Sequence, residues 1–384
     1  MFVDMKMKKE MSEMAVTSKA LETLLKLLNM CEEVNASDLH LAVGLPPRFR
    51  IKGSLVPRDD LRAFDAADVE AVSMELGRTS VPLAPGEGTE RIKEVLMREK
   101  SIDGAVTSPS GARYRFNVYR ANDVCAVALR RLDSRFRPFA ELGVPERIEA
   151  FSEERDGLFI VTGPTGSGKS TTLATMLDII NHRRDGHIIT IEDPIEYIHK
   201  SDRCVVHQRE VGRDAKGFNE ALVEALRQDP DVILVGEVRE LETMRTALRA
   251  AETGHLVFTT LHAGDCVGAI ERLVAVFPPD EQNSVRRQLS LVLRGVLAQH
   301  LLPREDGGRV PACELLVNTM ASANHIATGH SAQIYSVIET GGNYGMITLD
   351  QSLERLVRGG AVSLRTALGI ARYPSQLKKS LGVL

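Results

Sequence analysis

The chain has little with which to build a covalent or metal-stapled scaffold. Its five cysteines, Cys31, Cys125, Cys204, Cys266 and Cys313, lie far apart with no C-x-x-C pair. That excludes a disulfide framework and a zinc ribbon and fits a reducing, cytosolic setting. An excess of one charge is missing too: 48 basic residues stand against 52 acidic ones, and no basic tail is present to follow a nucleic acid. There is no uninterrupted apolar run of membrane-spanning length. The longest, Leu289 to Leu302, is broken by Arg294, Gln299 and His300, so membrane association has to come through a partner. The opening MFVDMKMKKEMSEM is too charged for a signal peptide. Residues 1–18 are expected to be disordered, and their several methionines leave the true start open.

What is present is enough apolar residue, 43% of 384, for two domains with cores of their own. The most informative stretch runs from Leu158 to Thr172. Leu158 to Val161 is apolar throughout, as a strand covered on both faces must be. Gly163, Gly166 and Gly168 let the following turn aim several backbone N–H groups into one concavity that suits an anion. Leu173, Met176, Leu177 and Ile180 then fall at helical spacing. Between strand and helix, Gly163, Pro164, Thr165, Gly166, Ser167, Gly168, Lys169 and Ser170 spell the Walker A pattern G-x-x-x-x-G-K-[ST], with Thr171 next. Lys169 brings a point charge to the β- and γ-phosphates of ATP, and the Ser170 hydroxyl can ligate Mg²⁺.

Beyond Lys169, strands and helices alternate as a parallel α/β sheet requires. Ile188 to Ile191 runs into Glu192, Asp193 and Glu196, three carboxylates at a strand's C-terminal end. They can orient water or Mg²⁺, or simply cap a helix. Val232 to Val235 is a second buried strand and ends in Gly236-Glu237, the Walker B position, with Glu where Asp is commoner. Leu256 to His262 is a third, and Thr260 and His262 are expected to face the same cleft as a phosphate sensor. The tail from Asp280 reads as mostly helical, with Val285 to Leu302 as an inner bundle helix and a small all-α subdomain at the end.

Upstream, Leu21, Leu24, Leu25, Leu28 and Cys31 form one helical stripe. Ser37 to Leu41 and Arg48 to Ile51 read as a hairpin in which His40 is a half-buried histidine rather than a metal ligand. From Ile102 to Leu132 the period is two, an antiparallel sheet with Arg113, Arg115, Arg120, Arg130 and Arg131 on one face. Those arginines either keep that face in solvent or serve a ligand. Arg135 to Val144, without periodicity, is the expected linker. The division is thus 19–134, a linker 135–144, and 145–384.

Several motifs in order carry a family resemblance. They are Ser37-Asp38-Leu39-His40-Leu41 with Gly44 to Pro47, Arg113 to Asn117, Gly163 to Ser170, Thr190 to Glu196, Asp229 to Glu237 and Thr259 to Ala263. Over nearly its whole length the chain resembles the secretion-type hexameric ATPases, and within them the type IV pilus retraction ATPases. The resemblance implies a PAS-like α+β domain, a RecA-like P-loop domain with C-terminal helices, and a homohexamer with ATP between subunits. It implies a cytoplasmic motor pulling on an inner-membrane platform protein, with a second retraction ATPase as a possible companion. Glu196 then resembles the catalytic glutamate, Glu237 the Walker B acid that holds Mg²⁺ with Ser170, and His262 the His-box sensor. Arg115 and Arg130 resemble the arginines brought to the phosphates. One segment departs from the family: Ala321 to Thr328 lacks the two arginines that retraction motors of this type carry at Ala323 and Ala327. An accessory member is therefore a second reading. A pilus-assembly or type II secretion ATPase is a third, though the usual larger N-terminal region and tetracysteine zinc site are missing; a slow nucleotide-dependent regulator is a fourth, and a DNA translocase is disfavoured by the net charge of −4.

Overall fold

The computed structural model describes residues 19–58, 60–84, 87–132 and 135–383; the expected disorder of residues 1–18 falls outside them. The chain forms two compact units. Of the described residues, one unit gathers those up to Arg135 together with Pro194–Ile198 and Gly212–Asp214; the other holds those of Phe136–Asp193, His199–Val211 and 215–383.

Among the described residues, the first unit is a six-stranded antiparallel sheet with three helices on one face. Its strands are β1 (Asp38–Leu41), β2 (Arg48–Ile51), β3 (Ser54–Pro57), β4 (Ser101–Thr107), β5 (Arg113–Ala121) and β6 (Val124–Arg131), in the order β3-β2-β1-β6-β5-β4. Residues 19–33, Ala66–Gly77 and Thr89–Glu99 are helical. Leu24, Leu28, Val69, Val72, Leu76, Ile92 and Leu96 meet Leu39, Phe49, Tyr114, Phe116 and Leu129 in one core. Alternation decides the rest: with 39, 49, 114, 116 and 129 inward, residues 38, 50, 115 and 130 share the other face. The five arginines therefore do not share a face. Arg115 and Arg130 are cross-strand partners, whereas Arg131 pairs with inward Tyr114 and Arg120 with Cys125 of the core. One unrecognised offset of a single residue between successive arginines is enough to send them to opposite sides.

The second unit is a seven-stranded sheet: β7 (Gly157–Thr162), β8 (Gly186–Glu192), β9 (Cys204–Glu210), β10 (Val232–Val235), β11 (Leu256–Leu261), β12 (Leu293–Pro303) and β13 (Arg309–Val317), ordered β13-β12-β7-β11-β10-β8-β9. All neighbours run parallel except β12 and β13. Every residue of β7, β10 and β11 is buried, as strands roofed by helices on both faces must be. The expected bundle helix from Val285 to Leu302 is not there. The helix Pro279–Val292 stops, and the chain turns at Leu293 straight into β12, which β13 pairs antiparallel. Beyond β13 the tail is helical again from Met320 onward, through Ser331–Thr340 and Leu349–Arg358 to a short Leu364–Leu368 turn and Pro374–Ser380. Residues 135–144, expected as a bare linker, contain the helix Phe139–Leu142 and bury Phe139 and Val144 in the second core.

Glu314 of β13 is almost wholly buried and accepts from the backbone N–H of Cys266 at 2.9 Å and Leu349 at 3.4 Å. These are the first residues of the helices Cys266–Ala275 and Leu349–Arg358, so one carboxylate serves two helix N-termini. Burial nonetheless pushes its pKa upward.

Candidate functional site

Parallel pairing puts the C-terminal ends of β7, β8, β10 and β11 at one edge of the second sheet: Thr162 is in register with Leu261, and Val235 with both Ile191 and Thr259. Gly163, Glu192, Glu237 and His262 follow those ends. The Thr162 hydroxyl ties two of them together, donating to Ala263 O at 3.0 Å while accepting from Ala263 N at 2.8 Å.

After Thr162 the chain turns sharply. Gly163 adopts φ 143°, and a Cβ there would lie 2.2 Å from the backbone oxygen of Gln299 on β12 and 2.7 Å from Ser167 Oγ. No other residue fits that close approach. Gly166 and Gly168 also have positive φ, 78° and 91°. The helix Lys169–Arg183 then begins without a side-chain cap, its first closing bond running from Thr172 N to Gly168 O. The N–H groups of Lys169, Ser170 and Thr171 precede that bond and form the helix's electropositive end. Lys169 is 8% exposed and donates to Gly163 O at 3.0 Å and Pro164 O at 3.1 Å, folding its ammonium back over the loop. Ser167 Oγ is sealed inside without a partner, while Pro164, Thr165, Gly166 and Ser170 are exposed. Thr172 donates to Gln299 Oε1 at 3.0 Å, so β12 braces the helix from beneath.

A second group stands at the ends of β10 and β11. Glu237 takes an ion pair from Arg239 at 2.8 Å, and His262 Nε2 is 3.7 Å from the same carboxylate, beyond hydrogen-bonding reach. Burial, with the Lys169 ammonium nearby, pushes the His262 pKa below its ordinary value, so the ring is neutral at pH 7. The Thr260 hydroxyl donates to Gly236 O at 2.6 Å, a tie between strands at the end that carries Glu237. Glu192 accepts from Thr190 Oγ1 at 2.6 Å and Gln208 Nε2 at 3.1 Å, which occupies it within its own sheet.

The donor set fits a nucleotide triphosphate: the N-terminus of a helix that has no side-chain cap, a nearly buried ammonium and a glycine-rich loop. Ser170 offers a hydroxyl in the first turn of the helix and Glu237 a carboxylate just past the end of β10, oxygen donors of the kind a divalent ion takes. Among the described residues no three His, Cys, Asp or Glu cluster to hold a metal alone, so such an ion requires phosphate oxygens as ligands.

In the first unit Arg115 and Arg130 are exposed and side by side in register. Arg130 Nε donates to Asp38 Oδ1 at 2.9 Å. Arg113, on the same face by period, is instead 7% exposed and donates to Ile195 O at 3.3 Å and Thr107 Oγ1 at 3.0 Å. It thereby fixes the backbone beside Glu196, which is partly exposed and belongs by its contacts to this first unit.

Residues 118–349 match the family model described as type II/IV secretion system protein. The chain is 44% identical over 91% of its length to the type IV pilus retraction ATPase PilT of Pseudomonas aeruginosa, 98% of which is covered. The chain belongs to the PilT/PilU-like family of secretion ATPases. It is also 36% identical, over 92% of its length and 90% of the relative, to the type IV pilus ATPase PilU of the same organism. The solved structure of the pilus retraction motor PilT with bound ADP matches at a TM-score of 0.84 and 40% identity, covering 92% of this chain and 98% of that one. As a member of this family the chain carries a complete Walker A loop and both acidic strand ends. Asp38, Arg239 and Gln299 touch these groups, and the sequence assigned none of them a role at the site. Only Asp38 had a signal there, an acid alternating with His40 on a strand.

Proposed function

We propose that this chain is an ATP-hydrolysing motor of type IV pilus retraction, working as a homohexamer in the cytoplasm against an inner-membrane platform protein. The observation that carries the reading is the Walker A loop, with a helix lacking a side-chain cap and a nearly buried Lys169, in a chain 44% identical over 91% of its length to a pilus retraction ATPase. In this reading residues 19–134 are a PAS-like domain, 135–144 a linker with a helical turn, and 145–384 the RecA-like motor. The loop from Gly163 to Thr171 grips the phosphates, and Lys169 leaves its two backbone carbonyls for the β- and γ-oxygens. Ser170 and Glu237, together with the phosphates, would hold Mg²⁺, which when bound would supply positive charge beside the transferred phosphoryl group. Glu196 accepts the proton of the attacking water, His262 reads the γ-phosphate as a neutral ring, and Arg115 and Arg130 bring positive charge to the phosphates.

Lys169→Ala is expected to abolish ATPase activity, while Glu196→Gln keeps nucleotide binding and loses about a hundredfold or more in turnover. Parental hydrolysis by Glu196→Gln moves the base to Glu192 or Glu237. An accessory role beside a second retraction ATPase is favoured by one observation: alanines stand at 323 and 327 in the helix Met320–Thr328. Retraction in a strain without other retraction ATPases separates the two.

A further inference from the structure

Asp38 is the hub of a row that crosses the first sheet. Arg115, Arg130, Asp38 and Arg50 are successive cross-strand partners on β5, β6, β1 and β2. The Asp38 carboxylate is 10% exposed and has a contact on each oxygen: Oδ1 takes Arg130 Nε at 2.9 Å, and Oδ2 takes Ser37 Oγ at 2.7 Å with Arg50 Nε at 3.4 Å. Arg50 in turn donates to Gly53 O at 3.0 Å, which anchors the row to the β2–β3 turn. Burial resists the charge on Asp38, but the Arg130 and Ser37 hydrogen bonds outweigh it and hold the pKa below the ordinary range.

Arg130 is the other half of the pattern. Its side chain is 73% exposed although its Nε is bound, and among the described residues its two Nη groups meet no protein acceptor. A guanidinium is planar, so a bond at Nε fixes the plane and turns the Nη1–Nη2 edge outward, the edge that matches two oxygens of a phosphate. We propose that Asp38 is a positioning residue, which holds Arg130 by Nε and so presents its Nη1–Nη2 edge to a nucleotide phosphate. This rests on the reading of Arg130 as a phosphate-contacting arginine. Without the carboxylate the side chain regains its rotamers, and the phosphate has to order it at each turnover.

The full chain tests this. Asp38→Asn is expected to lower kcat about tenfold with KM for ATP little changed, since orientation rather than ground-state binding is lost. Asp38→Asn combined with Arg130→Ala is expected to be no slower than Arg130→Ala alone. A readout apart from turnover is phenylglyoxal, which reacts with paired Nη groups. Adenylyl imidodiphosphate should protect Arg130 from it in the parent and much less in Asp38→Asn, both proteins binding the analogue equally. Parental kcat with parental protection in Asp38→Asn, or additive losses in the double variant, overturns the proposal. Parental turnover by Arg130→Ala overturns it by removing the reading beneath it, a separate and recognisable result. Should Asp38→Asn fail to fold, Arg130→Lys carries the test with Asp38 intact. An ammonium has no second edge, so this variant is expected to be as slow as Arg130→Ala, and parental speed sinks the idea.

Discussion

At the scale of single residues, His199 builds a pH dependence into the second unit. Its Nδ1 is sealed without a partner, its ring packs 4.8 Å from that of Phe136, and burial pushes its pKa down to about 4. An unfolded histidine titrates near 6.5, so from there down to about pH 4 the unfolded chain takes up a proton that the folded one refuses. The stability due to the neutral ring is complete above about pH 6.5 and drains as the pH falls through that window. His262, shifted in the same direction, adds to it. Glu75 and Glu314, whose carboxyls burial pushes upward, work in the opposite sense. The telling quantity is therefore a difference: the melting temperature of His199→Phe should fall less than the parent's between pH 7 and pH 5. Parallel curves would contradict the assignment.

At the scale of elements, the sequence was legible wherever a single periodicity ran to a marked end. Leu158 to Val161 is the buried strand its composition requires, and Asp65 caps Ala66–Gly77 with a reciprocal bond to Asp68. Leu289 to Leu302 was not legible, because an apolar run covers a buried helix and a buried strand alike. Nothing local marks Leu293 as the change of direction. The pairing with β7 and β13, distant in sequence, decides it. The partners of Arg130 were hidden for the same reason, since register joins residue 38 to residue 130 only in the folded sheet. In the helix Met320–Thr328, Ala323 and Ala327 are half-buried. Arginine still suits them, because its stem can lie along apolar surface while the guanidinium reaches water. Ala323→Arg with Ala327→Arg is therefore expected to leave ATPase activity and melting temperature nearly unchanged, and to increase pilus retraction in a strain without its other retraction ATPases. Vigorous retraction by the unmodified chain there removes the accessory reading.

At the scale of the whole molecule, the proposed ring makes a quantitative demand. Light scattering with ATP and Mg²⁺ present should give six times the chain's 42.2 kDa at concentrations where hydrolysis is measured. A monomer that turns over ATP under those conditions removes the ring and with it any reason for Arg115 and Arg130 to wait on a domain of their own. The sheet order β12-β7-β11 also sets a timetable for the newborn chain. β7 leaves the ribosome before any other strand of its sheet, yet its two flanking strands are among the later ones made. At about 5–20 residues per second, the strand that leads into the Walker A loop waits on the order of ten seconds with both edges bare. An apolar strand in that condition is a template for the wrong partner, so during synthesis the segment Gly157–Thr162, later the best protected in the sheet, is the one most in need of a chaperone's cover.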